Sequence, residues 1–126
     1  MNSSEEYIDY RIKRSNELLE DAILLADKKR WSSSVNRLYY SCFHIVNALM
    51  YKEGANAKTH DGLKTLFFKT FIKTGKIEKH FGILYSKLVD WRQESDYSIY
   101  VEFKEDDIIP LISEVEHFIA EIKKHL

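Results

Sequence analysis

A chain of 126 residues and 15.0 kDa has about one domain's length, enough to bury a core without disulfides or a structural metal. Four glycines and one proline leave too few turn residues for a β-sandwich or a wound α/β fold, and 31% charged with 44% hydrophobic residues fits neither disorder nor a membrane span. With 19 basic and 20 acidic residues the net charge is −1, which excludes binding of nucleic acid through overall charge and leaves only a local patch.

The first six residues are polar and acidic and lack the basic start and apolar run of a secretory signal. Together with a lone cysteine, Cys42, this predicts a reducing, cytoplasmic setting and no disulfide framework. No repeat, low-complexity stretch or Pro/Gly/Ser linker divides the chain, so residues 1–126 read as one domain.

Five helices are predicted. The first covers residues 5–28, with Ser4 as N-cap and an apolar stripe of Ile8, Ile12, Leu19, Ala22, Ile23 and Ala26 at the 3.6-residue period. The second covers residues 33–51 behind the cap-rich Ser32, Ser33 and Ser34. A break follows at Glu53-Gly54-Ala55-Asn56. The third, residues 60–73, is closed by Gly75, a usual left-handed terminator. The fourth covers residues 77–97. The fifth covers residues 106–125, accommodates Pro110 in its first turn and carries the stripe Ile108, Leu111, Ile112, Val115, Phe118, Ile119 and Ile122. The segment Tyr97-Ser98-Ile99-Tyr100-Val101 has strand-like composition but no partner strand. The fold class is therefore all-α, an up-and-down helical bundle of about five helices.

Charge is unevenly placed. Residues 58–80 hold six lysines against two acids, and residues 102–121 hold seven acids against one lysine. Such polarity can orient a phosphate-bearing ligand or a partner, or it can be ordinary solvated helix surface.

Two segments carry possible chemistry. On the second helix, positions 37, 40, 41, 44 and 48 share a face, which reads Arg37, Tyr40, Ser41, His44 and Ala48. A cation, a phenol, a hydroxyl and an imidazole within two turns suit a phosphate, with His44 able to move a proton near neutral pH. The same residues also suit a hydrogen-bonded core or dimer interface. Late in the fourth helix, Arg92 and Asp96 stand at i, i+4, followed by Tyr97. Exposed, that pair is worth about 0.3–0.5 kcal/mol; buried, Asp96 would aim the Arg92 fork at a phosphate. Other templates are absent: there is no Gly-rich phosphate loop, no His-Glu-x-x-His and no nucleophile elbow. The five histidines show no metal-ligand spacing, so neither a metal nor another cofactor is predicted.

The ordered set Asn36-Arg37-Leu38-Tyr39-Tyr40-Ser41-Cys42-Phe43-His44, Lys58-Thr59-His60-Asp61-Gly62-Leu63, Phe71-Ile72-Lys73-Thr74-Gly75 and Arg92-Gln93-Glu94-Ser95-Asp96-Tyr97 resembles the HEPN domain (higher eukaryote and prokaryote nucleotide-binding). The resemblance implies a helical homodimer, often the toxin partner of a minimal nucleotidyltransferase antitoxin, that binds a nucleotide or RNA. It makes the second-helix segment a packing and interface segment and puts Arg92, Asp96 and Tyr97 at a cleft; with the polar face of the second helix, the expected phosphate site is Arg37, Tyr40, His44, Arg92, Asp96 and Tyr97. Ribonuclease members of that family use an Arg followed, after four to six intervening residues, by a His late in the bundle. Here Arg92 is followed by four residues and then Tyr97. A phenol with an ordinary pKa of about 10 is a poor base at neutral pH. Binding is thus expected ahead of cleavage. A metal-independent endoribonuclease using Arg92 and His44 is the alternative, and a non-catalytic helical scaffold a second one.

Overall fold

The computed structural model describes residues 3–126. Helices α1 (Ser3–Asp27), α2 (Trp31–Lys52), α3 (His60–Phe67), α4 (Lys79–Tyr97) and α5 (Glu105–Lys123) form an all-α bundle, and no strand occurs among the described residues. The strand-like segment after α4 is a linker in which Ile99 and Tyr100 are almost fully exposed.

Helix α2 is the axis of the molecule, packed by α1, α3, α4 and α5. The sequence dictates this: Val35, Leu38, Tyr39, Cys42, Ile45, Val46, Leu49 and Met50 are all buried, more than one amphipathic stripe can hold. Helix α1 lies along it through serines. Ser15 and Ser41 each donate to the other's backbone carbonyl at 2.8 Å, and Ser34 donates to the Ala22 carbonyl at 2.8 Å. Such small side chains let two helices approach closely while satisfying their own hydroxyls. Helix α5 closes the core with Ile108, Leu111, Val115, Phe118 and Ile122.

Several helix ends differ from expectation. Ser4 lies inside α1, where its hydroxyl meets that of Tyr51 at 3.3 Å, and does not cap it. Helix α2 begins at Trp31, and its serines are used elsewhere: Ser34 as above, and Ser32 donating to the Ser95 carbonyl of α4. Tertiary partners outcompete local capping there. The third helix does not run uniformly to residue 73. After Phe67 it widens into a π-helical turn over Phe68–Ile72, with the Lys73 N–H reaching the Phe68 carbonyl at 2.8 Å. Gly75 then takes a left-handed φ of 76°, as predicted. Helix α5 starts with Asp107 accepting the Lys104 backbone N–H at 2.9 Å.

The π turn seats Phe68 and Ile72 against Gly82 of α4. A Cβ built on Gly82 would stand 3.1 Å from the Phe68 ring and 3.2 Å from the Ile72 side chain. Gly82→Val should therefore destabilise the protein by about 1–3 kcal/mol through overpacking, read as a lower urea midpoint with an unchanged slope.

Candidate functional site

The C-terminal half of α4 lies against the N-terminal half of α2, and there the polar residues of both helices meet. The Arg92 guanidinium is the centre. Its side chain is only 16% exposed. Its Nη2 donates to the Tyr40 hydroxyl at 2.9 Å, and its Cζ lies 5.5 Å, 5.7 Å and 5.8 Å from the ring centres of Tyr40, Tyr39 and Tyr97. Asp96, one turn on, brings Oδ2 to 3.0 Å from Nε. This is an ion-pair contact without hydrogen-bond alignment, so the Nε–H donor stays unsatisfied. Burial opposes the charge on Arg92, but the Tyr40 hydroxyl, then Asp96 and Tyr97, outweigh it and hold the group above its ordinary pKa.

Asp96 is itself held from α2. Asn36 Nδ2 donates to both carboxylate oxygens, at 3.0 and 3.3 Å, and Asn36 Oδ1 accepts from Arg37 Nη1. Arg37 and Arg92 thus stand on one polar edge, linked through Asn36 and Asp96. Beside Arg37 and Asp96 opens a polar hollow of about 260 Å³, lined also by Ser32, Ser33, Asn36 and Ser95. None of the ion pairs among the described residues involves Arg37.

Of the predicted residues, Arg37, Tyr40, Arg92, Asp96 and Tyr97 come together here. His44 does not join them. It turns toward α1, where Arg11 Nη1 lies 2.8 Å from its Nδ1. A guanidinium only donates, so Nδ1 accepts and the ring is neutral. Burial, reinforced by Arg11 and Arg14, pulls the His44 pKa down to about 4. Ser41 and Ala48 of the predicted polar face are fully buried, Ser41 against α1.

Two participants escaped the sequence reading. Tyr39, which the polar face of the second helix did not include, is buried, yet its hydroxyl bonds His60 Nδ1. His60 opens α3 directly after its N-cap Thr59, whose side chain accepts the Gly62 N–H at 2.9 Å. That cap sets where the helix starts and so where His60 points. The imidazole stacks on Phe43 at 4.5 Å and meets the Tyr40 ring edge-on at 5.9 Å. Burial and then Arg92 lower its pKa, against the opposing pull of Asp61. The lysine-rich stretch lies mostly on exposed surface of α3 and its following loop, apart from this hollow.

Among the described residues no group of three or more His, Cys, Asp or Glu gathers to hold a metal, and no helix is long and apolar enough to cross a membrane.

The model of the HEPN domain family matches residues 8–125. A "UPF0332 protein" of Thermotoga maritima is 38% identical over 124 residues, covering 98% of this chain and 94% of the relative. Two Methanocaldococcus jannaschii proteins, "Putative toxin MJ0605" and "Putative toxin MJ0142", are 32% and 30% identical, with 96% and 91% of this chain and 90% and 78% of the relatives covered.

Because His44 and His60 are held neutral below the ordinary histidine pKa, the unfolded chain binds protons that the folded one refuses as pH falls. Stability should fall as pH drops from about 6.5 toward 4. Urea titrations at successive pH values should show a shallower decline for His44→Gln than for the unaltered chain.

Proposed function

The chain belongs to the HEPN domain family, and on that premise we propose that it is a toxin-like module that binds the phosphate of a nucleotide or of RNA at Arg92. The single observation behind this reading is the state of that guanidinium. Its side chain is largely withdrawn from water and walled by three tyrosine rings, and it is tied through Asp96 to a polar hollow lined by Asp96, Asn36 and Arg37. A half-buried guanidinium that spends one Nη2 N–H on Tyr40 keeps further Nη donors for an anion. Arg37, free of a carboxylate partner and tied to the same network, supplies a second charge. Tyr97, three-quarters exposed, covers Arg92 from the solvent side and offers a face on which a base can stack. The module acts as a homodimer in a cytoplasmic toxin–antitoxin pair, with a nucleotidyltransferase-type antitoxin as its partner. The names of the two archaeal relatives support the toxin part of this reading.

Catalysis is the second reading, and His60 favours it. The proton acceptor that the Arg92…Tyr97 spacing lacks is present in space: a neutral imidazole, reached through Tyr39 and Tyr40, on the same side as the guanidinium. In an endoribonuclease His60 would take the 2′-hydroxyl proton and Arg92 would stabilise the developing phosphorane charge. His44, bound to Arg11 and neutral down to about pH 4, is the poorer base.

Titration calorimetry with AMP should show binding that Arg92→Gln weakens by about tenfold to a hundredfold, the worth of a lost charge-assisted contact. Unchanged binding in that variant would refute the site. Incubation with labelled RNA in EDTA should leave the RNA intact if the module only binds. Cleavage abolished by His60→Gln and by Arg92→Gln, but retained by His44→Gln, would establish the catalytic reading instead. Light scattering at tens of micromolar should report a dimer.

A further inference from the structure

The exposed edge of α2 does not end at Arg92. Tyr40 is followed along that edge by Phe43, at 5.9 Å between ring centres, and Phe43 by His44 at 5.7 Å. His60 stacks on the same Phe43 ring. One turn beyond Tyr40, at His44, stands a second guanidinium. Arg11 bonds His44 with Nη1 and the Tyr7 hydroxyl with Nε, at 2.8 and 3.1 Å, and lies over the Tyr7 ring at 5.2 Å. Arg14, three residues on from Arg11, shares its face of α1. Both arginines are half-buried, and none of the ion pairs among the described residues involves either one.

A guanidinium held by a carboxylate has its charge offset there. Arg11 instead faces a neutral imidazole and a phenol. Such partners orient the fork without cancelling its charge. The order along the edge is cation, ring, ring, cation: Arg92, Tyr40, Phe43 with His60, then Arg11 with Arg14. Tyr40 and His44, which hold the two guanidinium groups, are four residues apart, so their backbone positions are staggered by about 6 Å along α2. This alternation suits a strand that carries an anion and a flat ring in every repeat.

We infer that Arg11 and Arg14 form a second phosphate subsite, joined to the Arg92 site across the Phe43–His60 platform, so that the occupant is single-stranded RNA spanning at least two phosphates and not a mononucleotide alone. The inference rests on the phosphate-binding reading of Arg92. Arg92 and Arg37 hold one phosphate, a base lies against the Phe43–His60 pair, and Arg11 with Arg14 takes a neighbouring phosphate. An acidic polypeptide would use the cations but leave the rings between them without a role.

The test uses the full chain, a fluorescent oligoadenylate of about ten nucleotides, AMP, and polyglutamate as competitor. Arg14→Glu and Arg11→Gln, both at half-buried positions of α1, should each weaken oligoadenylate binding by about tenfold. Each should lower the salt slope by about 0.7, one phosphate contact, while leaving AMP affinity unchanged. Melting curves identify any variant that fails to fold, and Arg14→Glu carries the test if Arg11→Gln does so. Oligoadenylate binding unchanged in both variants, but lost in Arg92→Gln, would overturn the second subsite and leave the Arg92 site standing. Equal losses for AMP and oligoadenylate in Arg14→Glu would also overturn it, since a diffuse charge effect would explain them. Displacement by polyglutamate as effective as by unlabelled oligoadenylate would overturn the choice of RNA. AMP binding unaffected by Arg92→Gln would refute the underlying site itself.

Discussion

A guanidinium withdrawn from water must find compensation, and at Arg92 the compensation comes from three kinds of partner on two helices. The Tyr40 hydroxyl comes from α2, Asp96 from the next turn of α4, and the ring faces from Tyr39, Tyr40 and Tyr97. Each is incomplete alone. An i, i+4 carboxylate on the surface would add only about 0.3–0.5 kcal/mol. Here Asp96 is pinned by Asn36, which fixes where its oxygens stand, and the surrounding rings lower the local polarity so that the pair interacts more strongly. The register of α4 against α2 and the direction of Arg92 are therefore one problem with one solution.

That register is set on the opposite side of α2. The reciprocal Ser15–Ser41 bonds and the Ser34–Ala22 bond seat α1 on one flank of the central helix, while α4 and α5 cover another. Between them a strip of α2 stays accessible, and it is where the polar and aromatic residues of the helix collect. A wider side chain at Ser15 or Ser41 would push α1 outward and change the spacing between Arg11 and His44.

His44 and His60, both half-buried, show how environment sorts identical side chains. Both are depressed first by burial and then by an arginine. For His44 the arginines are in contact or close by, and no carboxylate offsets them. For His60 the charge of Asp61 pulls the other way. His44 thus serves as an acceptor that orients Arg11. His60 sits among Tyr39, Tyr40 and Phe43, where its ring stacks and its neutral form can accept a proton.

Much of this was legible in the residues themselves. Apolar spacing at 3.6 residues, scarce glycine and proline, and the break after Glu53 set the helices and the all-α class, because those features are local. The Arg92–Asp96 pair was legible for the same reason: four residues on a helix are neighbours whatever surrounds them. Gly75 ended its helix as its conformational freedom required. What the residues could not display was which face of α2 meets which neighbour. Ser34 and Ser41 look like cap or site residues until a second helix supplies their acceptors. His44 and His60 look equivalent until α1 brings Arg11 to one and α3 carries the other to Tyr39. Long-range contacts of this kind depend on how helices dock, and docking is decided by the whole buried surface at once, not by any stretch of chain read alone.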